Sequence, residues 1–147
     1  MWDGRPTALD LHTGRTLWHG TESLPGNASN PVLAGDRVVV GTADGRIRAF
    51  STADGATLWD YQTGPSLTSL EPYQRGGSDV NSTPAIADGL VYVGASDGHL
   101  HVLTLDNGSP IATYDVGVPI ASSPAVRDGT VYIGAFDGNV YAFAAAQ

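Results

Sequence analysis

The sequence predicts an all-β protein made of β-propeller blades, each a four-stranded antiparallel sheet. The first observation is a repeated pattern, in which a short strand rich in Val, Ile and Tyr is followed by an Asp-Gly turn and another strand. The second is spacing, because the turn glycines Gly4, Gly45, Gly98 and Gly138 recur at roughly 40 residues, with one longer interval. Four strand-like segments in a period of that length are typical of a propeller array.

The 147 residues divide into about three to four blades, which makes an incomplete ring. The first unit has two strands, the second and third have four each, and the last has three. Prolines stand where the first strand of a unit begins, a place that tolerates a missing backbone donor. The predicted order is a partial blade at 1–20, a blade at 29–64, an inserted rim loop at 65–81, a blade at 82–117 and a partial blade at 122–147.

Each part of the repeat has a local cause. Val, Ile, Tyr and Phe fit a pleated, half-buried surface, and Gly accepts the positive φ that tight hairpin turns require. We expect the third strand of the first unit to run from Thr7 to Leu11. Apolar residues occupy consecutive positions in Val38–Val40, which indicates a sheet covered on both faces, as a blade is by its neighbours.

Composition excludes several classes of function. The formal net charge is -8, from 15 acidic and 7 basic residues. An acidic chain without a basic stripe argues against binding to nucleic acid, and no apolar run is long enough for membrane insertion. Met1 is followed at once by repeat sequence, so we expect no signal peptide in this chain. The absence of cysteine excludes disulfides and thiolate metal sites.

A tryptophan pattern then connects the repeat to a known family. The spacing Ala-x-Asp-x-x-x-Gly-x-x-x-Trp is met in the first unit by Ala8, Asp10, Gly14 and Trp18. In the second unit Ala49, Gly55 and Trp59 match while Ser51 replaces the Asp, and in the third unit Ala112 stands in the Trp position. With this pattern the chain resembles the PQQ-like β-propeller repeat family, which includes quinoprotein dehydrogenases and the BamB-like outer-membrane assembly lipoproteins.

The resemblance implies that Trp18 and Trp59 dock one blade onto the next. It also implies a ring of seven or eight blades, so this chain would need a protein partner or self-association to complete one. An extracytoplasmic bacterial setting, periplasmic or secreted, is implied as well. We therefore expect a non-catalytic scaffold or protein-binding module without a cofactor. The alternative is a fragment of a PQQ-dependent dehydrogenase, with PQQ and calcium, whose cofactor site needs further blades.

The residues offer few candidates for chemistry. His99 and His101 lie two apart on one strand and could share a metal ion, but Arg46, Arg48, Asn139 and Tyr141 stand at the equivalent positions. We therefore interpret His99 and His101 as large polar side chains that fill the surface between blades. No catalytic, cofactor-binding or metal-binding residues are predicted. In the inserted loop, Glu71, Tyr73, Arg75 and Asp79 combine aromatic and charged groups and are the candidate partner-binding residues.

Overall fold

The computed structural model describes residues 4–26, 29–67 and 79–144, which form 13 strands in four antiparallel sheets. Blade 1 contains β1 (Thr7–Leu9) and β2 (Thr16–His19). Blade 2 contains β3 (Val32–Ala34), β4 (Arg37–Gly41), β5 (Arg46–Ser51) and β6 (Thr57–Gln62). Blade 3 contains β7 (Ala85–Ala87), β8 (Leu90–Gly94), β9 (His99–Thr104) and β10 (Pro110–Asp115). Blade 4 contains β11 (Ala125–Arg127), β12 (Thr130–Gly134) and β13 (Val140–Ala144).

Each strand pairs with the next in sequence, so every blade is a simple meander. The all-β propeller fold and the strand count of two, four, four and three are confirmed. The predicted end of β1 is wrong, because the strand stops at Leu9. The cause is the Asp10 carboxylate, which accepts hydrogen bonds from the backbone N–H groups of His12 and Thr13 at 3.1 and 2.7 Å and so starts a turn.

The core consists of the contacts between blades. One apolar cluster joins blade 2 to blade 3, and a second joins blade 3 to blade 4. Val39 and Ile47 from blade 2 and Val91 and Val93 from blade 3 are all completely buried. Burying one such side chain contributes about 1.5–3 kcal/mol. The fold is therefore stabilised mainly by blade packing against blade, which makes the faces of the sheets the decisive surfaces.

A repeated serine stabilises the first two strands of blades 2, 3 and 4. Its hydroxyl accepts the backbone N–H of the glycine that ends the second strand, at 2.7 to 3.1 Å. The pairs are Ser29 with Gly41, Ser82 with Gly94, and Ser122 with Gly134. Neighbouring blades are also linked at this end, since the Thr83 N–H donates to the Ser123 hydroxyl at 3.0 Å.

The Asp-Gly pairs form two kinds of turn, whereas the sequence suggested one. Asp88 has φ 50° and Gly89 has φ 73°, so both residues have the positive φ of a two-residue hairpin. At Asp97 and Gly98 only the glycine is positive, at φ 84°, and its N–H donates to the Ala95 carbonyl. This second turn leaves the aspartate side chain free to point back along the following strand.

Candidate binding groove and blade junctions

One face of blade 2 is covered over only part of its width. On blade 3 the corresponding face is closed by blade 2, and Val91 and Val93 there have no exposed surface. The equivalent residues of blade 2 are Val38, which is half-buried, and Val40, which is 6% exposed. Leu33, which lies opposite Val38 on the neighbouring strand β3, is 71% exposed. This face of blade 2 is therefore open at Leu33 and Val38, whereas the corresponding face of blade 3 is packed.

A cavity of about 510 Å³ lies along this open face. Its walls are mainly apolar and come from the inner strands of blade 2 on one side and from β1 and Trp18 on the other. Trp18, Leu33, Val38, Val40 and Phe50 are among the residues that line it. We call this cavity and its apolar walls the groove. Apolar surface of this kind commonly marks a site where another group binds.

The groove is bordered by the unpaired edge of β1. In blade 2 the equivalent strand, β5, lies between β4 and β6, but β1 pairs only with β2 among the described residues. The Gly20 N–H donates to the Pro6 carbonyl, and the Asp10 N–H donates to the Arg15 carbonyl. Because peptide groups alternate in direction along a strand, those of Thr7 and Leu9 face the groove side.

The two predicted docking tryptophans lie at junctions between blades. Trp18 Nε1 donates to the Thr52 carbonyl of blade 2, and Trp59 Nε1 donates to the Leu105 carbonyl of blade 3, both at 2.9 Å. Each indole covers a glycine of the next blade. A Cβ added at Gly108 would lie 2.6 Å from the Trp59 ring, so this position requires glycine.

The junction of blades 3 and 4 uses other aromatic contacts. Ala112 stands where the tryptophan would be, and the rings of Tyr114 and Phe143 pack there with centroids 4.9 Å apart. Aromatic pairs at this separation contribute beyond the area they bury. The missing tryptophan is thus partly offset by a different pair of side chains.

A buried polar network crosses the junction of blades 2 and 3. His101 is 3% exposed, and its Nε2 lies 3.0 Å from Asp97 Oδ2 while its Nδ1 lies 3.3 Å from the Tyr61 hydroxyl. Because a carboxylate only accepts, His101 Nε2–H is the donor to Asp97. Asp97 also accepts the backbone N–H groups of Gly64, at 2.7 Å, and His99, at 3.1 Å.

The network shifts two pKa values. Burial by itself raises the pKa of Asp97, but the hydrogen bond from His101 and its electrostatic attraction, with the N–H donors of Gly64 and His99, outweigh it and hold the pKa below its usual value. Burial raises the pKa of the Tyr61 hydroxyl. Asp97 therefore stays ionised while holding together residues from both blades.

Both ends of the inserted loop attach to this same turn of blade 3. Leu67 N–H donates to the Ser96 carbonyl at 2.9 Å, and the Ser96 hydroxyl donates to the Asp79 carbonyl at 2.8 Å. Of the predicted partner-binding residues, Asp79 is half-buried at the end of the loop. Glu71, Tyr73 and Arg75 lie outside the described residues.

The histidine pair does not form a metal centre in the described part of the chain. His99 and His101 have ring centroids 5.9 Å apart, and His101 is fully engaged by Asp97 and Tyr61. No group of three or more His, Cys, Asp or Glu side chains that could hold a metal ion occurs in residues 4–26, 29–67 and 79–144. The same residues contain no helix of the length and apolarity needed to cross a membrane.

The sequence contains a spacing that indicates this network, in addition to the Asp-Gly turns themselves. In three blades the turn aspartate accepts a hydrogen bond from the side chain four residues later. The pairs are Asp44 with Arg48 at 2.6 Å, Asp97 with His101 at 3.0 Å, and Asp137 with Tyr141 at 2.6 Å. A donor side chain recurs at this spacing in each of these three blades, although its chemical type changes.

Comparisons with known proteins agree with this architecture. A family model described as outer membrane protein assembly factor BamB matches residues 3–147. BamB of Salmonella typhimurium is 31% identical over 115 residues, which cover 78% of this chain and 26% of that protein. A quinoprotein ethanol dehydrogenase of Pseudomonas aeruginosa is 38% identical over 66 residues, covering 45% of this chain and 11% of the dehydrogenase.

The crystal structure of BamB from Moraxella catarrhalis superposes with a TM-score of 0.78 at 28% identity, covering 96% of this chain and 44% of that one. The chain thus spans about a quarter of the length of the Salmonella BamB that it matches. The family match covers almost the whole sequence, and it agrees with the four antiparallel sheets and the tryptophans between blades. The chain belongs to the BamB family of PQQ-like β-propeller proteins.

Proposed function

We propose that this chain is a non-catalytic propeller scaffold that binds a protein partner. The observation that supports this proposal is the groove, in which Leu33 and Val38 of blade 2 are accessible beside an edge of β1 that no other described strand pairs with. An extended polypeptide satisfies both features, since its backbone pairs with the strand edge and its side chains bury apolar surface. The relatives named as outer membrane protein assembly factors are consistent with this role.

Two further parts belong to the proposal. The inserted loop, with Glu71, Tyr73, Arg75 and Asp79, provides a second contact for the partner, because its ends are fixed on the turn at Ser96. The chain works in an extracytoplasmic setting, and the partner is either a different protein or a second copy that completes the ring. Neither part requires a cofactor.

A photo-crosslinking experiment tests the proposed binding site. A benzophenone amino acid is placed at Leu33 in the groove, and in a control variant at Ile111, which is 58% exposed on the outer strand of blade 3. When the protein is exported in a bacterial host and irradiated, we expect defined protein adducts from position 33. Equal adduct patterns from both positions, or none from position 33, would contradict the proposal.

The quinoprotein relatives support one alternative function, that of a dehydrogenase fragment. The described residues do not bring together the acidic side chains that a calcium site needs. We expect the melting temperature to stay unchanged when PQQ and calcium are added together. A ligand at a thousand times its Kd would stabilise the protein by about 4 kcal/mol, so a clear rise in differential scanning calorimetry would favour the dehydrogenase.

A further inference from the structure

We infer that Asn107 is a site of spontaneous deamidation and that the Trp59 indole controls the rate at which it reacts. Asn107 is exposed in the turn between β9 and β10, and it is followed by Gly108. The other four asparagines of the chain are followed by Ala, Pro, Ser and Val. Asparagine reacts fastest before glycine, because glycine has no side chain to hinder attack by its own backbone nitrogen. The sequence therefore favours one position for this reaction.

The reaction consumes water and releases ammonia. The Gly108 nitrogen attacks Cγ of Asn107 and loses its proton, and the side-chain nitrogen leaves as ammonia while a five-membered succinimide ring closes. Water then opens the ring at one of its two carbonyls and gives aspartate or isoaspartate. A neutral amide is replaced by a carboxylate, so the formal net charge becomes one unit more negative than -8.

The turn activates the carbon that is attacked. Asn107 Oδ1 accepts the Thr104 hydroxyl at 2.5 Å and the Ser109 N–H at 3.0 Å. Both donors draw electron density away from Cγ and stabilise the oxyanion that forms when the nitrogen attacks. Asn107 is thus held in a turn whose hydrogen bonds favour the chemical step.

The attacking nitrogen is restrained by the junction of blades 2 and 3. Gly108 is buried, and its N–H donates to the Thr104 carbonyl at 3.0 Å. A Cβ added at Gly108 would lie 2.6 Å from the Trp59 ring, and Trp59 is itself fixed by its bond to the Leu105 carbonyl. The Gly108 peptide group cannot rotate towards the Asn107 side chain while the indole covers it. The reaction therefore requires a local opening in which Trp59 moves away.

The aspartate product has a counterpart in blade 2. Asp54 stands at the position equivalent to Asn107 and accepts the Ala56 N–H at 3.1 Å, as Asn107 accepts that of Ser109. The next residue, Gly55, donates its N–H to the carbonyl of Ser51 at 2.9 Å. The Ala56 N–H and the Ser51 hydroxyl lower the pKa of Asp54, so this turn favours an ionised aspartate. The same turn in blade 3 can hold aspartate without a change of backbone.

Mass spectrometry of a protease digest, after incubation at mildly alkaline pH, measures the reaction as a gain of about 1 Da on the fragment that contains Asn107. A synthetic peptide of residues 103–111 gives the unrestrained rate. We expect the folded protein to react at least about tenfold more slowly than this peptide. Trp59→Ala should bring the rate close to that of the peptide. Asp97→Ala is the matched control, since it weakens the same junction but leaves the indole over Gly108.

A second variant, Trp59→Phe, keeps a ring over Gly108 and should give an intermediate rate, which tests the inference even if Trp59→Ala does not fold. Equal rates for the folded protein and the peptide, or no gain in mass at Asn107 in any variant, would overturn the inference. Equal acceleration by Asp97→Ala and the Trp59 variants would also overturn it, because general loss of stability would then control the rate. Asn107→Asp should leave the melting temperature unchanged, and a clear fall would contradict the fit of the aspartate product.

Discussion

Replacing Trp59 with alanine is expected to lower the free energy of unfolding by about 3–5 kcal/mol. The indole is 7% exposed, and it belongs to the apolar cluster that joins blades 2 and 3. Its removal leaves a cavity over Gly108 and also deprives the Leu105 carbonyl of its donor, a hydrogen bond of 2.9 Å. Urea unfolding followed by circular dichroism measures the loss.

A matched control for this substitution exists within the chain. Trp18→Ala removes the same contact at the junction of blades 1 and 2, where the indole is half-buried beside the open groove. Its loss should be smaller, because the cavity it leaves is already open to solvent on one side. If Trp59→Ala costs no more than Trp18→Ala, the tryptophan contact at blades 2 and 3 is not the main support of that junction.

The second large effect is expected at Asp97. Asp97→Ala should lower the free energy of unfolding by about 3 kcal/mol, because it leaves the buried donor of His101 and the half-buried N–H groups of Gly64 and His99 without their acceptor. The matched control is Asp137→Ala, which removes the same turn aspartate from blade 4, where it is exposed. Water replaces the acceptor there, so the loss should be clearly smaller in the same urea experiment.

Acidity should act through the same carboxylate. The folded-state pKa of Asp97 lies below the ordinary value of 3.8, so its contribution to stability is present above that value and is lost as the pH falls through the folded pKa. We expect the wild-type protein to lose stability from about pH 4 downward, and Asp97→Asn to lose less over that interval. Parallel pH profiles for the two proteins would show that another carboxylate controls acid unfolding.

How much the sequence could predict depends on whether a feature is local or lies between blades. The strands follow from β-propensity and Asp-Gly turns, and the positions of Trp18 and Trp59 follow from a fixed spacing. The partner of His101 could not be predicted, because Tyr61 comes from another blade and strand periodicity fixes only the face on which a residue lies. The groove was also missed, since it depends on which strand of blade 1 faces Val38.

Other misses arose from side chains whose roles change with context. The Asp-Gly pattern predicts that Asp97 is a turn residue, which is correct. Its second role depends on the folded chain, which brings the Gly64 N–H to 2.7 Å from its carboxylate. Nothing in the sequence around Ser82 indicates that it is fully buried and accepts the Gly94 N–H. Such contacts join residues 12 or more apart in sequence, where pattern analysis has no information.

The pairing of each turn aspartate with the side chain four residues later has a consequence for how the repeats can diverge. Arginine, histidine and tyrosine all satisfy the same carboxylate, because it requires only a donor at the right reach. Mutation can therefore exchange a permanent cation for an imidazole or a phenol while the loop keeps its shape. Each blade can acquire its own electrostatic character without any change in the course of the backbone.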